Sequence, residues 1–309
     1  MSHWGLVVGE RGEDGTLVFR EVRRLSDDQF ERLSTANHMF RRILGQTTWS
    51  VVEHNYLCFV LLERQLMKEL AGHSKAPLDP SAYQVPITAS VLNFLAAMRM
   101  FLDQSECELK RLDKVDNGNR YFAWKSACSS EYDDYFAYRF LYRFRNYVQH
   151  VGLPLSNWDI SISLAHSEEL VRRASSGELL LDDVSGADAK VITILLGESP
   201  TDLVRNFNRW STVKADLQSL TVEIDLAEQI HIVFECLSRI DHVFREQFTE
   251  ELSLGVNTFT EIVGSLTDYT SRPQLGKITR DRPLIKLDLM ELEIERFLHA
   301  ERLVTNTTS

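Results

Sequence analysis

"EYDDYFAYRFLYRFRNYVQHVGLP", Glu131–Pro154, is the stretch on which the fold turns. Phe136, Phe140, Phe144 and Val148 recur every fourth residue. That is the apolar stripe of an amphipathic helix and not the alternation of a strand. Ser130 with Asp133 reads as a capping box that opens the helix, and Gly152 with Pro154 closes it. The stripe and the stop account for most of the segment. Arg145, Asn146 and His150, in "RNYVQH", are what they leave over.

Working outward, the same texture extends in both directions. Ser26 with Gln29, and Ser50 with Glu53, are capping boxes that open helices near 27–44 and 48–71. In the second, Trp49, Val52, Tyr56, Phe59, Leu66 and Leu70 share a face. "SKAPLDPSAYQVP" is a proline-bearing connection, and Pro86 suits the first turn of a helix near 87–112. From 223 to 249, Leu226, Ile230, Val233, Leu237, Ile240, Phe244 and Phe248 form the strongest amphipathic pattern in the chain. Its simplest reading is core packing, with a partner-facing seam as the minor alternative. A last helix is expected near 288–303.

Two departures from helical texture stand out. Residues 5–23, "GLVVGERGEDGTLVFREVR", place two β-prone runs around a turn signal and read as a hairpin. Residues 156–198 carry "WDISIS", "GELLLDD" and "KVITILLGE" between loop-like pieces and read as a small β-rich insertion; helix returns at Pro200. The expected class is therefore mainly α (α+β). Its organisation would be a hairpin over 1–25, a helical core over 26–155, a β-rich insertion over 156–198 and C-terminal helices over 199–309.

Composition limits the function. With 309 residues, 44% hydrophobic and 10% aromatic, the chain can bury a sizeable core, and extensive disorder is not expected. A net charge of −11 argues against nucleic-acid binding through the overall field and leaves only a local site. Cys58, Cys107, Cys128 and Cys236 show neither CxxC nor Cys/His zinc-ligand spacing, so they read as reduced core thiols of a cytoplasmic protein. "MSHWGLVVGERG" lacks the pattern of a signal peptide, and the longest apolar runs, "YLCFVLL" and "VITILL", are too short to span a bilayer. There is no GxGxxG, HExxH or GxSxG. "LGKIT" fails as a phosphate loop because Ser271 stands where its first glycine belongs. His231 and Glu235, one helical turn apart, read as a surface pair without a third metal ligand. No cofactor and no metal ion is expected, and no membrane association.

Arg145 and His150 have four residues between them. Arg32 and His38 have five, so spacing alone singles out neither pair. Asn146 beside Arg145, the aromatic stripe behind it, and the helix C-terminus at His150 favour the first pair. A helix end carries partial negative charge that suits an imidazolium. These residues resemble the HEPN superfamily, helical domains marked by an arginine, four to six residues and a histidine, with a polar residue after the arginine in many members. The motif covers six residues, and the helical run over about 26–155 fits the family's core more loosely.

The resemblance implies a metal-independent endoribonuclease. The 2′-OH of RNA attacks the adjacent phosphate and leaves a 2′,3′-cyclic phosphate. His150 would transfer protons and Arg145 would steady the phosphate, while Asn146 would orient the histidine or hold a phosphate oxygen. A toxin or phage-defence role, with an antitoxin or regulatory protein as a further partner, is the corresponding expectation. In HEPN toxins paired with a nucleotidyltransferase, a tyrosine stands two residues after the histidine; here that position is Gly152, which disfavours control by that route. The alternative is a non-catalytic HEPN-type dimeric scaffold that binds nucleotide, RNA or protein. At about 100° per residue, positions 145 and 150 lie roughly 140° apart around a helix. Either the helix unwinds at His150 or a second copy completes the site. The resemblance implies the second, a homodimer. Arg139 and Arg143 with Tyr138 and Tyr142 read mainly as a solvent face, with a stacking surface for single-stranded RNA as the alternative.

Overall fold

The computed structural model describes residues 2–11, 15–44, 48–72, 81–152, 160–161, 193–265, 271–281, 284–290 and 298. The protein is mainly helical with a small antiparallel sheet, as the sequence predicts. It divides into two compact units. One combines Met1–Thr47 with Phe244–Ser309, and the other is Thr48–Val243.

In the first unit, β1 (Ser2–Arg11) and β2 (Leu17–Arg24) form the expected hairpin. The hairpin does not stand alone. β5 (Gln274–Asp281) pairs antiparallel with β1, and β6 (Leu284–Met290) with β5, giving the order β2-β1-β5-β6. Residues 284–290 are therefore strand, where the sequence reading starts a helix at 288; most of that expected helix lies outside the described residues. "GK" of "LGKIT" sits inside β5, opposite Gly5 and Trp4, so it is sheet and not a phosphate-binding turn. Leu6, Val7 and Val8 are buried in succession, as a strand covered on both faces requires.

Helix α1 (Asp27–Leu44) opens with the capping box. The Ser26 hydroxyl accepts from the Gln29 amide, and the Gln29 side chain accepts from the Ser26 amide, each at 3.1 Å. It packs on α9 (Thr249–Val263), where Phe40 meets Phe259 edge-on at 6.2 Å. Gly255 lies where that packing is closest: a Cβ there would stand 3.1 Å from the Phe40 ring.

The second unit holds α2 (Thr48–Gly72), α3 (Ser81–Asp116), α4 (Arg120–Asp134), α5 (Phe136–His150), α6 (Pro200–Asn206), α7 (Val213–Ser219) and most of α8 (Leu226–Glu246). α2 begins at Thr48, two residues before the expected cap. α3 begins at Ser81, so Pro86 lies inside the helix and not in its first turn. Asn117 takes a left-handed conformation (φ 55°) after the end of α3. The Asp113 carboxylate then caps α4 from outside, accepting from the amides of Arg120 and Tyr121 at 3.0 and 2.8 Å.

Two short strands, β3 (Ile160–Ser161) and β4 (Thr193–Ile194), pair antiparallel and are the described part of the expected insertion; the rest of 156–192 lies outside the described residues. Ser199 caps α6 at Asp202, with Pro200 in its first turn. Asp225 opens α8, its Oδ1 accepting from the amides of Ile194 and Ala227 at 3.2 and 3.1 Å. In α8, Leu226, Ile230, Val233, Leu237 and Ile240 are fully buried, so the strong amphipathic pattern is core.

α3 is also the described helix whose length and composition would suffice to cross a membrane, over Ala82–Val115. The sequence reading looked only at uninterrupted apolar runs and missed it. Ile87, Val91, Phe94, Leu95, Met98 and Phe101 are buried, so core packing accounts for that apolarity. The cysteines divide: Cys128 and Cys236 are buried, as expected, but Cys58 and Cys107 are exposed. Burial pushes the Cys128 thiol up to about 12. Cys236 is likewise pushed up to about 12, first by burial and then by Glu131.

Candidate functional site

The motif helix begins later than the sequence suggests. Ser130 is not its cap; it lies inside α4 and its hydroxyl donates to Asp134 at 3.1 Å. Tyr135 is extended and separates α4 from α5. Asp133 and Asp134 sit at the negative end of α4, where carboxylates are unfavourable. Arg139, one turn into α5, offsets them: its Nη1 donates to the carbonyls of Tyr132 and Asp133 at 2.8 and 2.6 Å, and its Nε donates to Asp216 at 3.0 Å. Arg139 is thus a structural clamp and not part of an open solvent face.

Along α5 the buried side is Ala137, Tyr138, Phe140, Leu141, Phe144 and Tyr147. Phe136, Phe140, Phe144 and Tyr147 stack in series at 5.0–5.8 Å. Trp210 lies against Phe140 and Tyr147 at 5.9 and 5.5 Å and donates to the Leu203 carbonyl. Tyr147, rather than the expected Val148, ends the buried stripe; its hydroxyl donates to Glu198 at 2.7 Å. Burial of Tyr138 removes it from any base-stacking surface. Tyr142 is engaged by Arg99, whose guanidinium donates to its hydroxyl and lies over its ring at 5.1 Å.

The helix stays regular to its end. His150 is in the last turn, the Val151 amide bonds the Tyr147 carbonyl at 2.8 Å, and Gly152 follows with φ 128°. The helix therefore does not unwind at His150. They flank the outward side of α5, roughly 140° apart, with Asn146 between them. Arg145 and Asn146 are half-buried and His150 is exposed. Among the described residues, none of these three side chains has a hydrogen-bond or ion-pair partner, and Arg145 Nε is shielded from solvent as well.

The second arginine–histidine pair behaves differently. Arg32 holds Glu261 with both terminal nitrogens, at 3.1 and 2.5 Å, which raises its affinity for its proton and lowers that of Glu261. Its charge is committed to joining α1 and α9.

Two polar clusters escaped the sequence reading because their partners are far apart in the chain. His231 is bound by Tyr56 at Nδ1 (3.0 Å) and by Glu63 at Nε2 (3.1 Å), and not by Glu235. Burial favours its neutral form, but the bond and charge of Glu63, with Asp225 and Glu235 behind, outweigh it and raise its pKa. Phe234 stacks on Tyr56 at 3.7 Å and closes that side. The second cluster is Glu131 with Arg239, a two-pronged pair at 2.7 and 2.8 Å, with Arg239 over the Tyr135 ring at 4.8 Å. Both clusters are satisfied internally. Among the described residues no group of three or more His, Cys, Asp or Glu side chains could hold a metal ion. No protein-family model, curated protein or solved structure matches the chain.

Proposed function

We propose that this protein is a metal-independent endoribonuclease of the HEPN type, acting as a homodimer in the cytoplasm, with a toxin or phage-defence role. One observation carries the reading. Arg145, Asn146 and His150 lie near the end of a regular helix without structural partners among the described residues, whereas Arg32, Arg99 and Arg139 are committed to structural bonds. The chemistry suits them. The RNA 2′-OH attacks phosphorus, its proton passes to a base, and the P–O5′ bond breaks as an acid protonates the leaving oxygen. One chain brings one motif histidine to a reaction that needs a base and an acid, and a second copy supplies the other. Arg145 would bind the non-bridging oxygens, where charge accumulates.

The test is incubation of purified protein with RNA in excess EDTA, beside His150→Ala and Arg145→Ala. Wild type is expected to leave 2′,3′-cyclic phosphate ends, and each variant to lose about 100-fold or more in rate. Intact RNA with wild type, or equal cutting by both variants, overturns the reading. The net charge of −11 favours the second reading, a HEPN-type scaffold that binds nucleotide, RNA or protein through the same face. Binding that depends on Arg145 without cleavage would select it.

A further inference from the structure

The two free arginines of α5 lie on different flanks of the helix. Seven residues turn a helix through about 700°, so Arg143 and His150 stand within about 20° of each other, with Asn146 on the same stripe one turn before His150. Arg145 is on the other flank, roughly 140° from His150. α5 is regular to His150, so the stripe is continuous. Arg143 is half-buried, and among the described residues its guanidinium has no hydrogen-bond or ion-pair partner. Its Nε is shielded from water as well. The guanidinium rests over the Tyr142 ring at 5.6 Å, and Asn146 follows Tyr142 one turn later. Arg99 donates to the Tyr142 hydroxyl and covers the same ring at 5.1 Å. Asp103 offsets Arg99 at 2.8 Å, whereas no described carboxylate pairs with Arg143. Glu198 is taken by Tyr147 and Asn206, and Asp216 by Arg139. Two guanidiniums on one ring therefore leave a local positive site in a chain of net charge −11. An anion is the acceptor that Arg143 lacks.

We propose that Arg143 is the arginine that holds an RNA phosphate against His150 of its own chain, with Asn146 donating to the same phosphate, and that Arg145 reaches this phosphate from the second copy. Substrate and dimer are those of the ribonuclease reading, on which this assignment rests. The planar fork of Arg143 suits two non-bridging oxygens. Positions 143 and 150 are about 10.5 Å apart along the axis. His150 leans back over Asn146, because helical side chains tilt toward the N-terminus, and the long arginine with the phosphate spans the rest. Each phosphate then takes one arginine from each chain, so neither copy holds the RNA alone.

The experiment uses the full-length protein in EDTA with two probes. One is a fluorescein-labelled 2′-O-methyl RNA oligonucleotide, which lacks the attacking hydroxyl and is bound without being cut. The other is unmodified RNA. Arg143→Gln should weaken binding of the first about tenfold and lower the slope of log Kd against log salt by about 0.7, the share of one single-strand phosphate. Arg143→Lys keeps the charge and should keep the slope. Arg143→Gln and Arg145→Gln chains should each cut RNA poorly alone. After subunit exchange they should regain about a quarter of wild-type cleavage, because half the dimers are mixed and one of their two sites is intact. Unchanged binding in Arg143→Gln, weaker binding with an unchanged slope (a structural role only), no binding by wild type, or no recovery on mixing when wild type does cut would each overturn the assignment. Wild type that binds through Arg143 but leaves RNA intact would overturn the ribonuclease reading and keep the phosphate contact.

Discussion

Replacing Tyr147 by phenylalanine isolates the bond that anchors the last turn of α5. The ring is fully buried, stacked on Phe144 and Trp210, and phenylalanine keeps that packing without opening a cavity. Only the hydroxyl is lost, and with it the 2.7 Å bond to Glu198. Burial first, then the bond and charge of Glu198, hold the Tyr147 phenol protonated, so it is a steady donor. A hydrogen bond to a charged acceptor contributes about 1.5–3 kcal/mol. Glu198 is half-buried and keeps Asn206 Nδ2 at 3.2 Å, so its carboxylate is not stranded. The lower end applies, about 1–2 kcal/mol. Phe144→Ala, which empties a fully buried ring site in the same stack, should cost more, about 3–5 kcal/mol. Urea unfolding of wild type, Tyr147→Phe, Glu198→Ala and the double variant gives the coupling directly. A coupling below about 0.3 kcal/mol would show that the bond does not hold the turn.

The other two structural predictions concern separate units. For His231, a raised folded pKa means that its pairing with Glu63 stabilises fully below the ordinary histidine value of about 6.5 and fades as pH rises through the folded value. Urea midpoints measured from about pH 5 to about pH 9 should therefore fall across that window in wild type and flatten in Glu63→Gln; parallel curves would refute the assignment. At Gly255, an added Cβ would press on Met39 Cε and stand 3.1 Å from the Phe40 ring. Met39 can swing away, and alanine gains about 1 kcal/mol of helix propensity, so Gly255→Ala should be near neutral. Gly255→Leu should lose about 2–3 kcal/mol in thermal or urea unfolding, and a wild-type midpoint would refute the close packing of α1 and α9.

How much of this was legible in the sequence follows from the range of each interaction. Ser26 and Gln29 close α1 through bonds three residues long, and the sequence predicts them. The stripe of α8 is a local periodicity and is also predicted. β5 and β6 are not, because they join the hairpin from the far end of the chain, and the pairing of β5 with β1 leaves no local signature. The break at Tyr135 is missed for a related reason. No glycine or proline marks it, and the bonds from Arg139 back to the end of α4 appear only in the folded structure. The motif residues are legible as candidates. Whether Arg145 is spent on a structural bond depends on neighbours that no spacing encodes.

That distinction gives the candidate site its force. Arg32 and Arg145 are both helical arginines followed by a histidine, and a pattern search treats them alike. In the structure Arg32 gives two nitrogens to Glu261. Arg145 has no such acceptor among the described residues, and its shielded Nε is a buried donor left unpaired, a condition that costs about 1–3 kcal/mol. Arg143 Nε shares that condition, but its guanidinium rests over the Tyr142 ring at 5.6 Å. A phosphate oxygen placed against α5 would supply the missing acceptor. Because His150 lies roughly 140° away on an unbroken helix, that phosphate cannot readily meet both side chains of one copy. Under the proposed ribonuclease reading, RNA would be shared between two α5 helix ends and not held by one.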